Sequence, residues 1–433
     1  MSEFGLADLA TILIGLAIVG MAIFLGMLTI YSWPMLAQIG RAISRRYFDI
    51  AWPHLIDRIA DDAMSSYDAV PDVDQKWPER RSYAVDRLSD QPGTVGGNEV
   101  LAWLAEEVGL PSHAGGVFVQ GGTLGNLSAL VAARHSANVA RQTAGLTRPE
   151  RWKFVCSEEA HSSLKAAAAV MDVDIVKAKV NEAGRLTGEA VAEALVNAGD
   201  GVFAVVATAG TTNFGIVDKL EEVAEVAKEL GVWFHVDGAY GLAGMLSHHT
   251  RPLFKGLEHA DSFIVDPHKW LFAPFDACAL VYRDPEIGRL AHTQHGEYLD
   301  TLTSSGDYNP SDYAINLTRR PRGLPLWFSL ATHGIQAYRD AVTKNIEIAH
   351  FARNQVKLRD YLELVREPEL SVVVFERVGW TLEQYEAWSK HLLAQNIAFV
   401  VPSSHQGRPN ARFAIVNPLT SEELINEILD SME

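Results

Sequence analysis

Between residues 116 and 283, seven short apolar runs alternate with stretches of helix length, and few folds accommodate that pattern. The runs are GVFVQ (116–120), KFVCS (153–157), DIVKAKV (174–180), FAVVAT (203–208), VWFHVD (232–237), SFIVD (262–266) and ACALVYR (277–283). Helical stretches fall near 125–142, 162–171, 188–197 and 218–230. Strands that are apolar without a polar alternation are buried on both faces. The pattern therefore predicts a mostly parallel sheet with helices on each side. From about residue 336 the order becomes helix, strand (LSVVVFER), helix, strand (IAFVVP), strand (RFAIVNP), helix, which reads as a smaller α+β domain.

In open α/β sheets, ligands bind beyond the carboxyl ends of the strands. Gly121-Gly122-Thr123 follows the first run, and a helix begins near Gly125-Asn126. His161 follows the second run, Thr211 the fourth, and Asp237 closes the fifth. The sixth ends in Asp266-Pro267-His268-Lys269. A loop suited to phosphate, an imidazole, hydroxyls, a carboxylate and a lysine thus meet at one sheet edge. Each is weak evidence alone; their joint placement carries the argument.

Lys269 lies between His268 and Trp270 just past a buried strand, where partial desolvation would favour an imine-forming amine. Lys165, in a helix, and Lys255, in a polar loop, do not sit at strand ends. Asp237 ends a hydrophobic strand and needs a cationic partner, for which a protonated ring nitrogen would serve. A loop or helix-capping aspartate is the bland alternative. His235 and Asp237 share a strand face, but no third metal ligand accompanies them. Gly122 and Thr123 offer backbone N–H groups and a hydroxyl to a phosphate.

These segments, in this order, resemble the group II pyridoxal-dependent decarboxylases. The likeness lies in QGGTLGNLSALVAAR, SEEAHSSLKAAA, ATAGTTNFGIVDKLEEVAEVAKELGVWFHVDGAYG, ADSFIVDPHKWLFAPFDACALVYRD, TRRPRGLPLWFSLATHG and ARFAIVNPLTSEEL, and covers about residues 96–433. The pair HVDxAYG and DxHKW is its most specific part. The resemblance implies the fold of pyridoxal-phosphate-dependent transferases (aspartate aminotransferase fold type I), with pyridoxal 5'-phosphate as cofactor. It implies an L-amino-acid substrate, with an aromatic one mildly preferred, and a homodimer. It assigns Lys269 to the Schiff base, Asp237 to the pyridinium and His161 to one ring face. Ala239 falls to the other face, and Thr211 lies near the ring substituents. Gly122, Thr123 and His268 fall to the phosphate, with Asp266 nearby. Tyr308 or Tyr313 would be the acid that returns a proton to the substrate. The alternatives are a carbon–carbon lyase similar to sphingosine-phosphate lyase and a non-catalytic homologue. The latter draws on residues 31–95, which lack the expected His-Pro loop.

Four regions are expected: 1–31, an apolar membrane segment; 32–95, a connecting region marked by Pro71, Pro78 and Pro92; 96–335, the large domain; and 336–433, the small domain. Leu9–Ile30 contains no charge and is long enough to span a bilayer as a helix. Arg41, Arg45 and Arg46 follow it, so the bulk of the chain is expected to face the cytoplasm as a single-pass protein. The 37 basic residues against 54 acidic ones give a net charge of −17, which argues against a nucleic-acid partner. Cys156 and Cys278 stand in apolar runs and read as buried thiols.

Overall fold

The computed structural model describes residues 92–294 and 308–433. These belong to a compact unit, Asp90–Glu433. The expected span Leu9–Ile30 and nearly all of 32–95 lie outside the described residues. Among the described residues no helix is long and apolar enough to cross a membrane.

The large sheet has seven strands: β1 (Gly115–Val119), β2 (Lys153–Ser157), β3 (Asp174–Ala178), β4 (Val202–Thr208), β5 (Trp233–Asp237), β6 (Ser262–Val265) and β7 (Cys278–Tyr282). Their spatial order is β1-β7-β6-β5-β4-β2-β3. The pairs from β6 across to β3 are parallel, and β7 runs antiparallel to both its neighbours. Every residue of β5 is buried, as a central strand covered on both faces requires. The helix Gly122–Thr143 presents Ala129, Ala132 and Ala133 to the sheet, and such small side chains allow close approach. Both cysteines are free and buried.

The smaller antiparallel sheet contains β8 (Leu362–Leu364), β9 (Val372–Arg377), β10 (Pro402–His405) and β11 (Arg408–Ala414), in the order β10-β11-β9-β8. The two sheets are joined by the helix Leu324–Lys357, which is broken at Gly334 (φ 78°, ψ 158°). That backbone conformation is open to glycine and strained for other residues. The expected border at 335/336 thus falls at a kink within one helix.

Two local expectations are corrected. Pro92, read as part of an irregular linker, opens the helix Pro92–Val108. Proline suits that position because the first helical N–H groups have no intrahelical acceptor. Of the apolar run IAFVVP only Pro402 belongs to a strand. Phe399 and Val401 are 72% and 52% exposed, while the more polar PSSH that follows pairs with β11. The connection at Gln406 and Gly407, both at positive φ, has the twist favoured in a two-residue hairpin. This turn sets the register in place of hydrophobicity.

His292 ends the helix Pro285–His292, and its Nε2 donates to the Ser128 carbonyl at 3.0 Å. Burial holds this imidazole down to about 4. The unfolded chain, with an imidazole value near 6.5, therefore binds the extra proton first as pH falls. Stability from this group is fully present above about 6.5 and is lost on acidification towards 4. Between pH 7 and pH 5, His292→Gln is expected to lose about 2 kcal/mol less stability than the parent. Urea unfolding of both proteins at the two pH values measures the difference.

Candidate active site

The carboxyl ends of β1, β2, β4, β5 and β6 converge on a cavity of about 340 Å³. Gln120, Gly121, Gly122 and Thr123 enter it from β1, and His161 and Ser163 from the turn after β2. Thr208, Gly210 and Thr212 come from β4 and its loop, and Asp237, Ala239 and Tyr240 from β5. Asp266, His268 and Lys269 come from β6, with Phe275 and Asp276 beyond them.

The short helix Pro267–Trp270 directs Lys269 inward. Its amine lies 2.9 Å from Asp266 Oδ2, and its side chain is 40% exposed against 2% for Asp266. The amine is therefore positioned mainly by a buried carboxylate, and the desolvation expected of it is incomplete. Trp270 is fully buried; its ring stacks on Tyr240 at 5.2 Å and its Nε1 donates to Asn345 Oδ1 at 2.9 Å. This anchor fixes the turn that carries Lys269. Trp270→Ala is expected to cost about 3–5 kcal/mol, measured by denaturant titration.

Asp266 Oδ2 also accepts from Gly122 N at 3.3 Å and lies 3.7 Å from His268 Nε2. The other oxygen, Oδ1, is buried and has no hydrogen-bond partner among the described residues. A Cβ at Gly122 would come within 3.2 Å of both Ala239 Cβ and Asp266 Oδ2, so glycine keeps this cradle open. His268 is anchored through Nδ1 on the Ala277 backbone, which leaves Nε2 towards Asp266.

Across the cavity, Asp237 Oδ2 accepts from Asn126 Nδ2 at 2.8 Å and Oδ1 accepts from Ala239 N at 3.1 Å. Each oxygen retains lone-pair capacity for a further donor. His161 precedes the helix Ser162–Met171, and its Nδ1 accepts from Ser163 N at 3.1 Å. The ring is thereby held at the rim of the cavity.

Gly122, Thr123, His161, Asp237, Ala239, Asp266, His268 and Lys269, all singled out from sequence, line this cavity, but Thr211 does not. Its hydroxyl turns into its own loop and accepts from Ile216 N at 3.1 Å, while Thr212 lines the cavity. Tyr308 lies elsewhere, in a crevice with Arg319 and Arg322. Its hydroxyl donates to the Gly116 carbonyl at 2.8 Å, its ring stacks on Tyr313, and burial pushes its phenol up. Tyr308 thus does not line the cavity of its own chain. Sequence patterning did not single out Asn126 or Ser163 as site residues, although both are buried beneath the carboxylate of Asp237.

Residues 94–378 match the pyridoxal-dependent decarboxylase conserved domain. The chain belongs to the pyridoxal-dependent decarboxylase family. It is 31% identical over 420 residues to an L-2,4-diaminobutyrate decarboxylase of Rhizobium meliloti (strain 1021), covering 92% of this chain and 80% of that relative. An aromatic-L-amino-acid decarboxylase of Bacillus atrophaeus is 30% identical over 345 residues, 76% of this chain and 70% of the relative. The crystal structure of Oryza sativa TDC with PLP and tryptamine superposes with a TM-score of 0.71 at 24% identity, covering 83% of this chain and 81% of that one, and shows the shared fold. This decarboxylase is thus a pyridoxal-phosphate-dependent lyase of amino acids. Its cavity suits that cofactor. A glycine cradle at a helix start, an amine beside it and a carboxylate with spare lone pairs meet the needs of a phosphate, an aldehyde and a ring nitrogen.

Proposed function

We propose that this cavity releases carbon dioxide from an L-α-amino acid, with Lys269 as the amine that holds pyridoxal phosphate. The observation that carries this reading is the convergence of Lys269, Asp266, Asp237, His161 and the Gly122 cradle on one cavity. Gly122, Thr123 and His268 would hold the phosphate, Asp237 the ring nitrogen, and Ala239 and His161 the two ring faces. When bound, the cofactor supplies an electron sink for the pair left on carbon as carbon dioxide departs.

The protein contributes position and charge. Asp237, braced by the donors Asn126 Nδ2 and Ala239 N, holds its carboxylate at the back of the cavity. Asp266 holds the Lys269 amine beside the cradle. His268 Nε2, on the cavity side of an imidazole anchored at Ala277, is assigned to returning a proton to the substrate carbon.

The relatives are named for aromatic, diamino and acidic substrates at similar identity, so the proposal extends to the L-α-amino acid class. The test is a carbon dioxide release screen across the common L-amino acids with added cofactor. Release from one of them supports the reading. Aldehyde formation without carbon dioxide would support a carbon–carbon lyase, and failure to bind cofactor a non-catalytic homologue.

We further propose that Leu9–Ile30 tethers a homodimeric enzyme to a membrane, with the catalytic unit on the cytoplasmic side. Its length, its lack of charge and the arginines that follow support this reading. The full-length protein is expected to remain with membranes after alkaline carbonate extraction, whereas a form lacking residues 1–34 is released. Release of both forms would remove the tether from the proposal.

A further inference from the structure

Beneath Asp237 lies a chain of buried polar side chains that the reaction does not touch. His235, two residues earlier on β5, shares the strand face of Asp237 and is fully buried. It sits opposite Ser262 in the β5–β6 register. His235 Nδ1 lies 2.8 Å from Ser262 Oγ, and Nε2 lies 2.9 Å from Asn126 Oδ1. Trp233 Nε1 donates to the same Ser262 Oγ at 2.8 Å. Asn126 Nδ2 donates to Asp237 Oδ2 at 2.8 Å and to Ser163 Oγ at 3.0 Å.

The proton positions follow from the carboxylate outward. Asp237 can only accept, so the Asn126 amide must face it with nitrogen. The amide oxygen then faces His235 and requires a donor at Nε2. A neutral ring protonated there leaves Nδ1 as an acceptor, which Ser262 Oγ–H satisfies. Ser262 in turn accepts from Trp233 Nε1–H. Burial pushes the His235 imidazole down against the opposing pull of Asp237, in keeping with a neutral ring. Every donor in the chain points towards Asp237.

We propose that His235 is a positioning residue: by donating to Asn126 Oδ1 it locks the amide that braces Asp237, and so sets the grip of that carboxylate on the cofactor's ring nitrogen. The proposal rests on the pairing of Asp237 with that nitrogen. Without the imidazole, Asn126 Oδ1 loses its buried donor and the amide is free to rotate. Asp237 then loses its brace and turns towards other donors. The role is specific to a ligand with a basic ring nitrogen, which separates it from a general contribution to packing.

The test compares the dissociation constants of the full-length apoprotein for pyridoxal phosphate and for its 1-deaza analogue, in which C–H replaces the ring nitrogen. Quenching of tryptophan fluorescence is the readout. His235→Leu is expected to weaken pyridoxal phosphate roughly tenfold, the scale of one buried hydrogen bond to a charged group, with little change for the analogue. His235→Gln, whose amide nitrogen can reach Asn126 Oδ1, is expected to restore most of the difference. If His235→Leu does not fold, Ser262→Ala, which removes the hydroxyl that orients the ring, should show a smaller loss confined to pyridoxal phosphate. An equal loss with both ligands overturns the relay while leaving the cofactor site intact. A wild-type protein that binds both ligands equally well overturns the pairing of Asp237 with the ring nitrogen, and the relay with it.

Discussion

Lys269→Ala is expected to lower turnover by on the order of 10³-fold or more, the scale of removing a group that acts covalently. The cofactor's near-visible absorbance should no longer be retained through gel filtration, because no amine in the cavity remains to hold its aldehyde. The fold should survive. The side chain is 40% exposed, and its ion pair is with Asp266. Asp266 keeps the Gly122 N–H at 3.3 Å and His268 Nε2 at 3.7 Å as neighbours when the amine is removed. Turnover near the parent rate, or cofactor still covalently held, would place the anchoring amine elsewhere and remove the basis of the proposed function.

Asp237→Ala is expected to lower kcat by on the order of 10²- to 10³-fold, similar to the loss of a preorganised charge-stabilising group in other enzymes. Cofactor affinity should fall as well. Asp237→Asn is informative because it preserves volume. Its amide must direct NH₂ towards either Asn126 Nδ2 or Ala239 N, both of which are donors. A donor facing a donor in a buried site costs as much as an unmade hydrogen bond. Asn at this position should therefore be no better than Ala, although it is closer in shape. An Asn variant with nearly full activity would show that charge at this position is dispensable.

The sheet was legible because its strands are short apolar runs ending in polar residues, and burial on both faces leaves little ambiguity about such runs. The site was legible to the extent that its groups sit immediately after those runs: Gly122, His161, Asp237, Asp266, His268 and Lys269 are all at strand ends. Choosing Thr211 over Thr212 required knowing which hydroxyl the loop turns inward, and a hydrogen bond to Ile216 N decides that. Tyr308 could not be placed because its partner, Gly116, is 192 residues away. Asn126 carries a usable signal: a buried polar amide in a helix rich in alanine and leucine must find partners. IAFVVP shows the opposite failure, since an apolar run was not enough to make a strand where a glycine turn had already set the pairing.

The segment around Glu369 and Ser371 reaches from the smaller sheet into the loops that shape the cavity. Ser371 N donates to Tyr240 Oη at 3.2 Å, Glu369 Oε2 accepts from Val217 N at 3.2 Å, and Arg185 pairs with the same carboxylate at 2.6 Å. Arg412 completes the set by donating to the Thr212 carbonyl. A miniaturised catalyst made by cutting the chain after the large sheet would thus lose the struts that hold its catalytic loops in shape. Although this protein has two sheets, it offers protein engineers no detachable half.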